Sequence, residues 1–393
     1  MIPKALFIKQ NSMVFEELNV VYIGSPSFPV GAATTKRRRY MVDYMNSQHI
    51  SCKVLVTGLS KKNDKNPQQG FYNNCEYFNI SKLATISKIS KYYNTGKTKL
   101  KEWYDDAKSN ILIFTTSMNT IDYKLYKYAV KLGYKIVFDI VETAFWKHEN
   151  LNLKSKARYC LDEYFSKKAY KKSAAFVISE RLREEFKTAY PNMPICLLPN
   201  ATPISVTEGR KNLNETLQIL YAGTYAAKEG VTFLIEGVKQ AIDNGCKCKL
   251  LLLGKAPQAL RDKYGNETYI DFKGFVSDEE LYQLQMESDV LAMVRTNSIF
   301  ANYGFPFKLS EYLATGNIVL STKVSDVEKY LTDKKDAYLI EPENTKAICD
   351  AIIYIASNPE EACSVAQNGL KTANEKFSID VVGKIFVDFL RIL

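Results

Sequence analysis

Lys308 and Glu311 stand within one helical turn of each other, directly after Gly304-Phe305-Pro306. A proline suits the first turn of a helix, because its fixed φ fits and its missing N–H has no partner to lose there. Leu309, Tyr312 and Leu313 then recur at helical spacing. Tyr303 to Thr322 therefore reads as a Gly-Pro loop, a helix of about ten residues, a stop at Gly316 and a short buried strand from Ile318. A helix start offers unpaired N–H groups and the positive end of a dipole, which together form an anion site. Lys308 adds a mobile positive charge. The two acceptor oxygens of Glu311 match the two hydroxyl donors of a diol such as a ribose. This combination describes a nucleotide-diphosphate ligand. On local physics alone, an ordinary buried helix with both charges solvated is an equal reading.

Several elements must position these residues. Asn19 to Gly24 is a β-rich run that ends on glycine. A loop with Gly31 and Ala32 follows, then a helix from about Ala33 to Met45 and a strand from Cys52 to Thr57. This strand–loop–helix–strand order starts a parallel α/β layer. Residues 58 to 108 are polar and are expected to form loops and a helix. Gly96-Lys97-Thr98 lacks the first glycine of a phosphate loop, which would fall on Lys91. Strands at Ile111 to Phe114 and Lys135 to Ile140 flank a helix closed by Gly133. Ligands of open α/β sheets bind beyond the carboxyl ends of strands. Asp139, Glu142 and His148 follow such an end, so Glu142 is a candidate acceptor-side base. Phe145 and Trp146 read as core packing or as an acceptor surface. A short strand at Ala174 to Ile178 and the polar stretch Ala201 to Glu215 end the first half.

The α/β rhythm then restarts. Leu217 to Tyr221 is a strand, Gly223 opens a loop holding Lys228, and Thr232 to Asn244 is a helix. Strands follow at Lys249 to Leu253, at Tyr269 to Phe272 and at Val290 to Val294, with Arg295 next. The last helix, about Val381 to Ile392, carries Val382, Ile385, Phe386 and Phe389 on one face. The expected organisation is an acceptor-side domain over 1–200, a nucleotide-binding domain over 201–375, and a final helix over 376–393 that crosses back.

The segment around Glu311 resembles the donor-site signature of the retaining, GT-B-fold glycosyltransferases of family 4, group 1. The resemblance is closest to bacterial polysaccharide enzymes with an FPxKLxEYLxxG pattern. The matching residues are Phe305, Pro306, Lys308, Leu309, Glu311, Tyr312, Leu313 and Gly316. It implies two Rossmann-like domains around a cleft, with Glu311 on the ribose. It puts the backbone from Gly304 to Phe307 on the donor sugar and diphosphate. The family often has an earlier glutamate as well, and that position here is Tyr303. Lys228 resembles the lysine of the family's K-G element, which contacts the diphosphate. No arginine precedes it, so diphosphate binding is expected to lean on Lys228, Lys308 and Arg295. Gly31, Ala32 and Arg37 resemble the cleft-facing first loop, with Arg37 on the acceptor side. Phe275 and Val276 fall in the loop that lies against the nucleotide base. The implied reaction is glycosyl transfer with retention, from a nucleotide sugar to a glycan or lipid-linked glycan. It needs no metal and no other cofactor.

Composition bounds this reading. The 393 residues suffice for two or three domains. The eight cysteines are scattered and there are only two histidines, so no zinc site is readable. No apolar run approaches a bilayer span and no signal peptide is readable, so a cytoplasmic chain is expected, with Met13 an alternative start. The net charge of +10 suits an anionic membrane surface or a solvated exterior. No nucleic-acid-binding motif is present, and nucleic acid is not an expected partner. A nucleotide-sugar epimerase of the same fold is the main alternative, although it would want histidines in the cleft. A sugar-binding protein would need export. A nicotinamide enzyme would need the glycine fingerprint, which is absent.

Overall fold

The computed structural model describes residues 17–24, 27–57, 66–80, 89–115, 118–142 and 153–393. Two sheets carry the fold. The first takes β1 (Leu18–Gly24), β2 (Ser51–Val56), β3 (Gln69–Tyr72), β4 (Cys75–Asn79), β5 (Ser109–Thr115), β6 (Lys135–Ile140), β7 (Ala174–Val177) and β8 (Ile195–Leu197). Its order is β3-β4-β2-β1-β5-β6-β7-β8, parallel except where β3 pairs antiparallel with β4. The second takes β9 (Leu217–Ala222), β10 (Cys248–Leu253), β11 (Ile270–Gly274), β12 (Val290–Met293), β13 (Ile318–Thr322) and β14 (Tyr338–Ile340). Its order is β11-β10-β9-β12-β13-β14, parallel throughout.

Both sheets are doubly wound. Strand order reverses between β1 and β5 in the first and between β9 and β12 in the second, and such reversals open a crevice at the carboxyl ends. The connecting helices of the first half are α1 (Ala33–Ser47), α2 (Ile89–Glu102), α3 (Thr120–Leu132), α4 (Leu153–Tyr170) and α5 (Glu180–Ala189). Those of the second are α6 (Val231–Asp243), α7 (Gln258–Tyr264), α8 (Asp278–Glu287), α9 (Ile299–Tyr303), α10 (Phe307–Leu313), α11 (Val327–Tyr330), α12 (Thr345–Ser357), α13 (Pro359–Phe377) and α14 (Ile379–Arg391).

The β-rich runs became strands because both sheet faces are covered, so near-continuous apolar runs are buried. One apolar cluster runs from Ile23 and Phe114 in the first half to Leu291, Phe305 and Leu309 in the second. A second cluster lies under α6 and α12. A third joins β1 and β7 to α1 and α14, so the last helix packs on the first half. There Phe386 stacks on Phe176 at 4.8 Å between ring centroids.

Two local expectations need correction. The polar stretch 58 to 108 contributes β3 and β4 as well as a helix. Gly96-Lys97-Thr98, already excluded as a phosphate loop, lies inside α2. The helix after Pro306 has seven residues, with Pro306 as its cap, and a second short helix, α9, precedes it. It stops early because Gly316, at φ +70°, turns the chain and donates its N–H to Leu313 O at 3.1 Å. No described helix is long and apolar enough to cross a membrane. His148, Phe145, Trp146, Met13 and residues 1–16 lie outside the described residues.

Candidate active site

The carboxyl ends of β9, β10 and β11 each terminate in a glycine with positive φ: Gly223, Gly254 and Gly274. Close approach requires the first two of these. A Cβ on Gly254 would sit 2.1 Å from Gly223 O, and one on Gly223 would sit 2.5 Å from Lys308 Nζ. Lys308 therefore lies across the end of β9 because that end carries no side chain. Tyr312 secures α10 to the same strand by accepting from Ala222 N at 3.1 Å.

Lys308 is not alone there. Its ammonium donates to Glu229 Oε2 at 2.8 Å and to the Tyr221 hydroxyl at 3.2 Å, and lies 4.3 Å from the centre of the Tyr221 ring. Arg295 donates from Nη2 to Glu229 Oε1 at 3.3 Å. Glu229 is 3% exposed. Burial pushes its carboxyl up, but Lys308 and Arg295 more than offset this and hold it below the usual carboxylate range. Burial pushes the Lys308 ammonium down, with Glu229 opposing. Lys228 is half-buried beside this cluster, and its carbonyl accepts from Thr296 N at 2.9 Å. Three cations thus surround one carboxylate at the β9/β12 reversal.

Glu311 meets the first half. Lys36 Nζ lies 3.1 Å from its Oε1, and Phe307 stacks on Tyr40 at 6.4 Å. Burial pushes the Glu311 carboxyl above its ordinary value, with Lys36 pulling it back. Beside Glu311 is a cavity of about 160 Å³ whose lining includes Lys36, Tyr40, Asp278, Tyr282 and Thr315. Gly31 and Ala32 are exposed and open α1, one turn before Lys36. A larger cavity of about 590 Å³ lies at the opposite ends of β9, β10 and β11, around Gln218, Lys249 and Ile270. Volume alone therefore does not mark the site.

The loop before α10 is held from the first half. Ser179 Oγ donates to Tyr303 O at 2.6 Å, and Asn200 Nδ2 donates to Phe305 O at 3.3 Å. A Cβ on Gly304 would lie 3.5 Å from Val141 O, so the end of β6 borders this loop. Glu142, next in the chain, is exposed there.

Some expected ligand-facing residues sit elsewhere. Arg37 does not face the cleft: it is 3% exposed and pairs with Asp139 at 3.0 Å. It also donates to the Leu198 and Pro199 carbonyls and to Asn200 Oδ1, so it braces the residue that holds Phe305. Asp139, at the same strand end as Glu142, is used up in that pair. The side chains of Phe305 and Leu309 are core, with Phe305 against Tyr330 and Phe377. Pro306 is buried, and Val276 packs on the core. Phe275 is 83% exposed. Sequence reasoning passed over Glu229, Tyr221, Lys36 and Tyr40. Glu229 did carry a signal, since it stands between Lys228 and Gly230 at a strand end. Among the described residues no group of three His, Cys, Asp or Glu is placed to hold a metal.

Residues 216–358 match the family described as Glycosyl transferases group 1. The chain is 21% identical over 271 residues to Alpha-D-kanosaminyltransferase of Streptomyces kanamyceticus, covering 64% of this chain and 69% of that one. HepE of Anabaena, solved in complex with UDP and glucose, superposes with a TM-score of 0.66 at 13% identity, covering 95% of this chain and all of that one. The lipopolysaccharide outer core galactosyltransferase WaaB, in its apo form, does so with a TM-score of 0.64 at 16% identity, covering 95% and 99%. The doubly wound pair of sheets is thus the GT-B fold, and residues 216–358 of this chain are a group 1 glycosyltransferase domain.

Proposed function

We propose that the chain moves a sugar from a nucleoside-diphosphate sugar to a glycan or lipid-linked glycan, with retention at the anomeric carbon, in building a bacterial surface polysaccharide. The observation that carries this is the convergence of Lys308, Arg295 and Lys228 on the carboxyl end of β9, with Glu311 on the helix that delivers Lys308. The bond from the anomeric carbon to the diphosphate oxygen breaks, and the acceptor oxygen bonds to the same face. Negative charge grows on the departing diphosphate, and preorganised cations stabilise it most where water is excluded. Lys308 and Lys228 take that role. Glu311 holds the ribose. Glu142, beside the Gly304 loop, is the candidate to take the acceptor's proton. HepE's complex with UDP and glucose supports a nucleotide-sugar donor, and the name of WaaB supports a polysaccharide acceptor.

No metal takes part in this reading, and the exposed cations of α3 and α4 suit peripheral contact with an anionic membrane. The test is a thermal-shift panel of UDP, GDP, ADP and CDP sugars, with and without EDTA. Stabilisation by one nucleotide class, unchanged by EDTA, is expected. No response to any of them sinks the donor assignment, and loss of the response in EDTA sinks the metal-free site. Co-sedimentation with anionic vesicles, lost at high salt, is expected for the membrane contact; its absence removes that partner.

A further inference from the structure

We infer that Glu229 is a positioning residue for the donor's diphosphate: its buried carboxylate holds the Lys308 ammonium and the Arg295 guanidinium convergent on the end of β9. This rests on the proposed donor site. Two like charges brought together in a partly buried cleft repel, and flexible lysine stems separate when nothing joins them. Glu229 joins them with one oxygen each, at 2.8 Å to Lys308 and 3.3 Å to Arg295. Further charged neighbours are Lys228 beside Glu229 and Glu311 beside Lys308, and the polar ones are Tyr221 and Tyr312.

The carboxylate is itself fixed. A short 3₁₀ turn, Ala227–Glu229, ends at Gly230 with φ +64°. A Cβ on Gly230 would lie 2.0 Å from Val294 O, so the turn lies flat against the end of β12. Thr296 N–H closes it by donating to Lys228 O. The backbone thus fixes Glu229, Glu229 fixes the two cations, and Gly223 leaves the space in which Lys308 lies. An anion arriving at this strand end meets both cations already in place. Without Glu229, it would have to gather them.

The test uses the full chain and two readouts. Reductive ¹³C-methylation of lysines lets Lys308 be titrated by NMR, with Lys308→Arg identifying its signal. In Glu229→Gln the Lys308 signal is expected to titrate at lower pH than in wild type, and in Glu229→Asp to return toward it. An unchanged titration overturns the clamp whether or not any nucleotide binds. The second readout is calorimetric binding of the nucleotide sugar found in the panel. Glu229→Gln is expected to weaken it at least ten-fold in the wild-type background and to have a smaller effect on top of Lys308→Ala, where only Arg295 remains to be held. Wild-type or tighter affinity in Glu229→Gln overturns the positioning role while leaving the donor site standing. A wild-type chain that binds no nucleotide sugar fails the donor reading instead, and the NMR titration still decides the clamp. Should Glu229→Gln not fold, Glu229→Asp carries both readouts: its shorter side chain is expected to weaken binding and lower the Lys308 titration, and wild-type values for both overturn the proposal.

Discussion

Arg37 is held by a carboxylate 102 residues away and by two backbone carbonyls, and it contacts Asn200, which in turn holds the Phe305 carbonyl. Removing one partner of a buried pair leaves the other charge uncompensated, at a cost of about 3–5 kcal/mol. Arg37→Ala is therefore expected to lower unfolding stability by that amount in urea titrations. Arg37→Lys should recover little, because lysine lacks the planar fork. Wild-type stability with lost turnover of an acceptor would return Arg37 to the acceptor side. Glu311 makes a different prediction. Burial leaves its folded pKa above that of an unfolded glutamate. The native state then binds more protons than the unfolded state between the two values, so stability falls as pH rises through that window. Glu311→Gln removes this titration. The variant is expected to match wild-type stability below the ordinary glutamate range and to exceed it at neutral pH, where its nucleotide binding is weaker by about 1.5–3 kcal/mol per lost hydrogen bond. Melting curves across pH check the first part, and equal stability at neutral pH would contradict it. The Glu311 motif was legible because its residue types sit together in sequence. The burial of Arg37 was not, because a surface-type charge run reveals nothing of Asp139 waiting on β6. Lys36, in the same run, was illegible as a partner of Glu311 for the same reason.

A glycine stop made the end of α3 readable at Leu132, before its cap Gly133 at φ +104°, while its start, read at Tyr123, lies at Thr120. The edge pair β3 and β4 was not readable, since β3 alternates exposed and half-buried positions in a stretch rich in polar residues. It forms because it can add to an existing sheet edge, which local pattern does not show. The last helix was readable from its apolar face, and its partner lies at the other end of the chain. Phe386 is 1% exposed and stacks on Phe176, while Gly383 lets α14 press on Tyr44, where a Cβ would come within 2.1 Å of the ring. Helix α14 thus ties the chain end to α1 and β7. Phe386→Ala is expected to cost about 3–5 kcal/mol, the range for deleting a buried ring. Trp103 is buried in the first half and reports this directly. A fluorescence unfolding midpoint that does not move would mean that α14 is not part of the first half's cooperative unit.

At the scale of the molecule, the two sheets face each other across a crevice, and few side chains cross it near the donor site. Lys36 reaches Glu311, and Tyr40 stacks on Phe307. These contacts come from α1 on one side and α10 on the other, so they report how the halves meet. In the proposed function, Glu311 has two competing partners, the Lys36 ammonium and a ribose diol. A ligand that takes the carboxylate must first release it from Lys36. Both side chains remain partly exposed, at 26% and 20%. Such a pair contributes about 1 kcal/mol or less, which is roughly five-fold in an equilibrium constant. Lys36→Met keeps the apolar stem and removes the charge. It is expected to raise nucleotide affinity by up to about five-fold, and the gain should shrink with salt, which already screens the wild-type pair. Calorimetry at low and high salt separates the alternatives. If Lys36→Met binds nucleotide more weakly than wild type, then Lys36 contacts the donor itself, and α1 belongs to the binding surface rather than to a latch across it.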